Sequence, residues 1–304
     1  MQFLKSLILP FVFFPALALS SPLTLEQVAP GVYVHHGEHK DINVGYGGDI
    51  CNISFVIGTK GVAVIDTGGS PKTGARLREA IRSITPLPIL YVINTHVHPD
   101  HGLGNAAFKQ DHPVFVGHTK LAELMTQRKE AYLRNQPQWV GADATGTELI
   151  PPTMPVAAAS EIDLGERRLL LSPYPAAHSP ADMSVLDTAS NTLWTGDLLF
   201  IERTPSFDGD MTGWLKVIEQ LRETRALHVV PGHGPATDNL DLALNDEKRY
   251  LSTLLSDVRT AIKNGDSMEQ AIATAAQFEK DKWVLFDVVN RRNVALIFPL
   301  LEWE

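Results

Sequence analysis

An apolar run of strand character, Leu90-Tyr-Val-Ile-Asn94, leads straight into Thr95-His-Val-His-Pro-Asp-His101-Gly, so His96, His98, Asp100 and His101 put four metal-ligating side chains into six residues. Histidines two apart on extended backbone point to the same side, so both can face one ion. Pro99 stiffens the turn that carries Asp100 and His101 on towards a second ion. The cluster reads as half of a binuclear site. A solvated polar loop is the alternative, but it gives no reason for such a density of imidazole and carboxylate.

Three later segments each offer one more ligand where an apolar run ends: His178 in Ala176-Ala-His178-Ser-Pro180, Asp197 in Leu193-Trp-Thr-Gly-Asp197-Leu-Leu199, and His233 in His228-Val-Val-Pro-Gly-His233-Gly-Pro235. Each is expected at a strand-to-loop junction, where a rigid sheet can hold converging side chains. Taken singly, each is equally a turn residue or a satisfied polar group.

Taken together, their order resembles the metallo-β-lactamase superfamily. The resemblance implies that His96, His98 and His178 form a first metal site, that Asp100, His101 and His233 form a second, and that Asp197 bridges the two ions. Val64-Ile-Asp66-Thr-Gly-Gly69 is similar to the family's early strand-and-turn signature. By that resemblance Asp66 stands behind the metals and hydrogen-bonds a ligand or its loop, while an ordinary strand-ending turn is the alternative. An aspartate at the bridging position resembles glyoxalase II-like hydrolases and lactonases, whereas the β-lactamases proper carry Cys or Ser there. The segments Gly48-Asp-Ile-Cys-Asn52, Ala63-Val-Ile-Asp-Thr-Gly-Gly-Ser70 and Tyr91-Val-Ile-Asn-Thr-His-Val-His98 look most similar to a periplasmic subgroup, the quinoprotein relay system zinc metallohydrolases and related sulfur-oxidation accessory proteins.

Export fits the N-terminus. Lys5 precedes Leu7-Ile-Leu-Pro-Phe-Val-Phe-Phe14, and small residues at Ala16, Ala18 and Ser20 follow at cleavage spacing, which reads as a signal peptide over residues 1–20. The apolar stretch is shorter than the roughly 20 residues of a membrane span and contains prolines, so no stable membrane anchor is expected. Residues 21–304 are then expected to form one catalytic domain in a periplasmic protein. A net charge of −9 without a Lys/Arg block argues against a nucleic-acid partner. Cys51 is the lone cysteine, so no internal disulfide is possible, and it reads as a buried, inert thiol.

Hydrophobic patterning predicts strands over 31–34, 53–57 and 62–65, the last two joined by a hairpin turn at Gly58-Thr-Lys-Gly61. A helix follows over 73–84, then the strand before His96, a short helix at 105–108, a strand at 114–116 and a polar helix over 120–135. The second half repeats the order, with strands over 168–171, 183–186, 192–194 and 227–230 and a helix at 211–224 between the last two. Long helices at 240–264 and 268–278 and an apolar stretch at 284–301 would cover the outside. Two β-then-α halves fit an α/β fold, an αββα sandwich of two mixed sheets flanked by helices, with the site along the sheets' shared edge. Residues 38–48 and 137–155 read as loops, from which Tyr46 and Trp139 are candidate substrate contacts. His35, His36, His39, His112, His118 and His228 fit no ligand position.

Imidazole and carboxylate ligands suit two Zn2+ ions, though iron or manganese would accept the same set. Two such ions on the order of 3.5–4 Å apart can share a hydroxide for attack on a carbonyl, with Asp100 orienting it. The expected reaction is hydrolysis of a small-molecule ester, thioester, lactone or β-lactam. The competing readings are an iron-dependent sulfur dioxygenase, which uses one metal, and a non-catalytic periplasmic metal-binding protein. The residues set neither the acyl group, the leaving group nor the oligomeric state.

Overall fold

The computed structural model describes residues 23–303, so the proposed signal peptide lies outside the described residues. One sheet has seven strands in chain order: β1 (Glu26–Ala29), β2 (Val32–His35), β3 (Ile53–Ile57), β4 (Val62–Ile65), β5 (Ile89–Asn94), β6 (Val114–His118) and β7 (Met154–Val156). Pairing is antiparallel from β1 to β4 and parallel from β4 to β7. The other sheet orders β12 (His228–His233), β11 (Thr192–Phe200), β10 (Met183–Asp187), β9 (Arg168–Pro173) and β8 (Ser160–Asp163), with only the β11–β12 pair parallel.

Alternation along each strand explains the layering. Ala63, Ile65, Ile93 and Val116 face inward and meet Leu169, Leu171, Val185, Trp194 and Val230 of the other sheet. Their neighbours Val62, Val64, Val92 and Phe115 face outward onto Leu77 and Ile81 of α1 (Pro71–Ile84) and onto Phe108. Strands covered on both faces read as unbroken apolar runs rather than as alternating ones. At about 1.5–3 kcal/mol per buried aliphatic side chain, this double burial holds the strand ends in fixed register.

The helices start and stop where local chemistry dictates. Ser70 caps α1 by accepting from the Thr73 amide, and Pro71 occupies the first turn, where its missing N–H costs nothing. The very short α2 (Pro99–Gly102) follows β5, and α3 (Leu121–Val140) follows β6. The second sheet is covered by α4 (Met211–Arg222), α5 (Leu240–Asn264), α6 (Met268–Thr274) and α7 (Phe286–Leu301), which bury Trp214, Leu251, Leu254 and Val294 against Leu193, Leu199 and Val229. The result is the expected αββα sandwich.

Several boundaries differ from the sequence reading. Strands β1, β7 and β8 were not foreseen because they are only three or four residues long, β1 and β8 being polar at their exposed positions and β7 carrying a proline at its centre. Residues 137–140 belong to α3 rather than to a loop, with Pro137 held inside the helix; tertiary contact of Val140 with Tyr46 and Ile50 outweighs the lost backbone bond. Strand β11 runs on to Phe200, so Asp197 sits within an irregular strand end and not beyond it. The pairing of β11 with β12 slips on both sides of Gly196, whose φ of 53° is the left-handed geometry that such a bulge requires.

Candidate metal centre

Five imidazoles and two carboxylates from both sheets meet at one edge of the sandwich. His96 and His98 follow β5, Asp100 and His101 lie on α2, His178 sits between β9 and β10, Asp197 is in β11, and His233 ends β12. Ligand atoms of His96, His98, His178 and Asp197 lie within 4.8 Å of one another, and so do those of Asp100, His101 and His233. Asp197 Oδ2 is 3.4 Å from Nε2 of both His178 and His233, while its Oδ1 is 3.1 Å from His101 Nε2, so this carboxylate stands between the groups. Gly232 makes room for it, because a Cβ there would fall 1.9 Å from Asp197 Oδ1.

Each ring is held in a single tautomer by what its outer nitrogen meets. His101 Nδ1 donates to Asp66 Oδ2 at 2.8 Å, His178 Nδ1 to the Ser206 carbonyl at 2.8 Å and His233 Nδ1 to the Ile50 carbonyl at 2.7 Å. His98 uses the opposite nitrogen, its Nε2 donating to Asp208 Oδ2 at 2.7 Å. Thr95 Oγ1 donates to Asp66 Oδ2 at 2.7 Å, which leaves it to accept from His96 Nδ1 at 3.0 Å. The five remaining nitrogens therefore face inward, four of them with a free lone pair and that of His101 with one once its second proton leaves. His98 Nδ1 lies 3.0 Å from His96 Nε2 and 2.9 Å from His178 Nε2. Ring nitrogens packed this closely around two carboxylates, with no donor among them once His101 gives up its second proton, are the arrangement a cation resolves.

Two orphaned atoms make the same point. His101 Nε2 and Asp197 Oδ1 are buried 3.1 Å apart with no well-formed hydrogen bond to any group. The donor set of imidazole and carboxylate fits a divalent ion such as Zn2+. Burial and the neighbouring imidazoles hold His96 neutral, and burial above all brings His178 down to about 3. Burial opposes charge on His101 too, but Asp197, Asp66 and Asp100 surround it and raise it well above the usual range. Burial opposes charge on Asp100 and Asp197, but neighbouring histidines, His101 and His233 foremost, keep both ionised. Before an ion enters, then, His101 holds a proton that the ion would displace.

Asp66 takes up the position expected of it. Besides His101, it accepts from the Thr95 amide at 2.9 Å, from a backbone φ of 54° that Asp tolerates better than most residues. Cys51 is buried and donates its thiol to the Asp100 carbonyl, as expected for an inert group. The six histidines given no role stay outside both groups; His35, His36, His39 and His228 instead pair with Asp49, Glu26, Glu202 and Asp238.

The centre opens into a cleft of about 270 Å3 whose lining includes His98, Asp100, Asp197, His233, Tyr132 and Trp139. Trp139 thus lines the cleft as foreseen, but from a helix. Tyr46 does not: it is buried against Ile50 and Val140, with its hydroxyl packed so tightly on Gly69 that a Cβ there would meet it at 2.2 Å. The loop that carries Tyr46 reaches the cleft through Asp41 and Ile42. Sequence reading also missed Asp208, Ser206, Arg128 and Arg203, which carry no local pattern and reach the site only through the fold.

The sequence profile of the metallo-beta-lactamase superfamily matches residues 46–233, the stretch that contains all seven candidate ligands. The chain belongs to the metallo-beta-lactamase superfamily. Among solved superfamily structures, a metallo-beta-lactamase from Pontibacter korlensis superposes with a TM-score of 0.62 at 20% identity, covering 76% of this chain and 99% of its own. One from Hirschia baltica gives 0.59 at 20% identity over 76% of this chain and 98% of its own. A sec-alkylsulfatase from a Pseudomonas species gives 0.70 at 16% identity, covering 91% of this chain and 50% of its own, so this chain spans half of that enzyme. At such identities the likeness is one of fold. This superfamily hydrolase fold thus sets its His/Asp metal-binding groups against the cleft.

Proposed function

We propose that the protein is an exported binuclear zinc hydrolase acting on a small ester, thioester, lactone or β-lactam, with His96, His98 and His178 holding one ion, Asp100, His101 and His233 the other, and Asp197 both. The observation that carries this reading is the set of five inward ring nitrogens and two ionised carboxylates, divided into two groups around Asp197. When bound, a pair of divalent ions supplies an acidified water and polarises the oxygen of the bond to be broken.

The chain's own residues do the rest. Asp100 lines the cleft and is held ionised, so it can take a hydrogen bond from the attacking water and aim it at the substrate. Burial pushes Tyr132 up to about 12, so it stays a phenol whose O–H can donate to a developing oxyanion. Trp139 and Leu296 give the cleft its apolar wall. A complete second group favours this reading over a one-metal iron dioxygenase. The bridging aspartate and the segment resemblances favour the periplasmic relay and sulfur-oxidation relatives over dedicated β-lactamases.

Elemental analysis of protein purified without chelators, followed by a hydrolysis screen, tests the proposal. Two zinc ions per chain and turnover of at least one carbonyl class are expected. The screen includes a chromogenic cephalosporin and, because of the alkylsulfatase likeness, a secondary alkyl sulfate. A single iron with oxygen uptake on a persulfide would instead establish the dioxygenase reading. Full metal loading with no turnover of any class would favour a binding protein.

A further inference from the structure

The last helix leaves an apolar face uncovered. One side of α7 buries Val289, Val294, Ile297 and Phe298. Its other side exposes Val288, Leu296, Pro299 and Leu300, with Trp303 just past the helix end. Their three- and four-residue spacing sets them in one row. Leu300 is 58% exposed and Trp303 90%. A monomer rarely leaves so continuous an apolar row to water.

The charges beside this row identify what fits it. Asp287 is matched by Lys280 at 2.8 Å, and Arg292 by Asp41 at 2.7 Å. Arg291 and Glu302 are exposed, and among the described residues neither has an ion-pair partner. They cannot serve each other within one chain, because eleven positions of helix hold them about 16 Å apart. Both lie on the same flank of the apolar row, about 20° apart around the axis. A two-fold axis packs a helix antiparallel against its copy and brings the same flank of each together. If that axis passes between Leu296 and Ile297, Arg291 of each chain stands opposite Glu302 of the other, and Val288 lies near the other chain's Trp303. An anionic lipid surface matches the row less well, since it would repel Glu302 beside Trp303.

We propose that the chain forms a symmetric dimer in which α7 packs antiparallel against its copy, with Leu296, Leu300 and Trp303 at the centre and two Arg291–Glu302 pairs at the rim. Arg292 and Leu296 also line the cleft, so the clefts of both chains border this interface.

Sedimentation equilibrium of the purified protein tests the assignment. The wild type is expected to dimerise with a dissociation constant on the order of 1 μM. Trp303→Glu alters a side chain that touches little of its own chain, and should weaken the dimer at least about a hundredfold with metal content and thermal midpoint unchanged. Arg291→Glu and Glu302→Arg should each weaken it about tenfold, since two attractive pairs become two repulsive ones. Combining the two substitutions should restore the wild-type constant to within about threefold. A wild type still monomeric at about 100 μM overturns the proposal. A dimer that survives Trp303→Glu, or a double variant no stronger than the single ones, overturns it as well. A monomeric wild type that co-sediments with vesicles of phosphatidylglycerol and phosphatidylcholine, where Trp303→Glu does not, would give the face to a lipid surface instead.

Discussion

His101 and His98 each turn the ring nitrogen facing away from the centre towards a carboxylate, yet the two carboxylates live in different surroundings. Asp66 stands at the end of β4, its side chain 3% exposed, and gathers three donors from His101 and Thr95. Asp208 stands on the connection between β11 and α4, its side chain 34% exposed, and is shared between His98 and Arg128 of α3. One half of the centre is therefore braced by the sheet and the other by the wall of the cleft. The Ile50 carbonyl, just before β3, extends the sheet's bracing to His233, while the Ser206 carbonyl extends the loop's bracing to His178. A ligand that shifts α3 can reach the His98 half through Arg128 and Asp208.

Removal of the one residue common to both halves should erase the contrast. Asp197→Ala is expected to lose both ions together and to lower activity on the order of a thousandfold. Metal analysis after dialysis, paired with initial rates, checks it. A variant that keeps two tightly held ions and full activity would show that the bridge has been misassigned.

Asp66→Asn should come next in size. Its amide has one acceptor oxygen where the carboxyl group uses both, Oδ1 for the Thr95 amide and Oδ2 for Thr95 Oγ1 and His101, and the group is buried. A loss of about 3 kcal/mol in denaturant stability is expected, together with a roughly 10- to 100-fold fall in metal affinity. Unfolding curves of the metal-free protein separate the two effects, and unchanged stability there would remove Asp66 from its bracing role.

Asp208→Asn should show the other behaviour. Metal affinity should fall about tenfold, while stability changes by less than about 1 kcal/mol, since the Arg128 pair is partly solvated. Arg128→Met should reproduce part of the affinity loss by freeing Asp208. Competition with a chelator measures the affinity; if Asp208→Asn destabilises the fold as much as Asp66→Asn, the distinction between sheet and cleft bracing fails.

The same division governs what could be read from the amino-acid sequence. His96, His98, Asp100 and His101 are local, their spacing set by one strand end and one turn, so a period-two argument finds them. His178, Asp197 and His233 are scattered, and only their order and their resemblance to a known family singled them out. The apolar runs announced the layers because strands buried on both faces leave an unmistakable pattern. Asp208, Ser206 and Arg203 left no trace, for their partners lie just after β5, between β9 and β10 and at the end of β12, and nothing in Phe200-Ile-Glu-Arg-Thr-Pro-Ser-Phe-Asp208 encodes those distances. Tyr46 misled because a glycine-rich segment suggests an open loop, whereas here the glycines let the aromatic ring pack inward.

A third carboxyl group, on the outer face of the second sheet, extends the comparison to one that carries no charge. Glu247 on α5 is fully buried; its Oε1 accepts from the Phe200 amide at 3.0 Å, and its Oε2 has no partner. Burial pushes this carboxyl well above its ordinary range, so it folds as the neutral acid. Because the folded value exceeds the unfolded one, the unfolded chain releases this proton first as pH rises, and stability falls from about pH 4.5 upward until the folded carboxyl itself ionises. Glu247→Gln keeps the acceptor for Phe200 and has no proton to lose. Thermal unfolding of wild type and variant should therefore give similar midpoints near pH 4 and a growing advantage for the variant towards pH 9, with metal content the same in both. Phe200 stacks on His233 at 5.1 Å, so a change in metal content on this substitution would mean that the outer face of the second sheet also braces the centre. Parallel midpoint curves across the whole range would mean that Glu247 folds as a carboxylate.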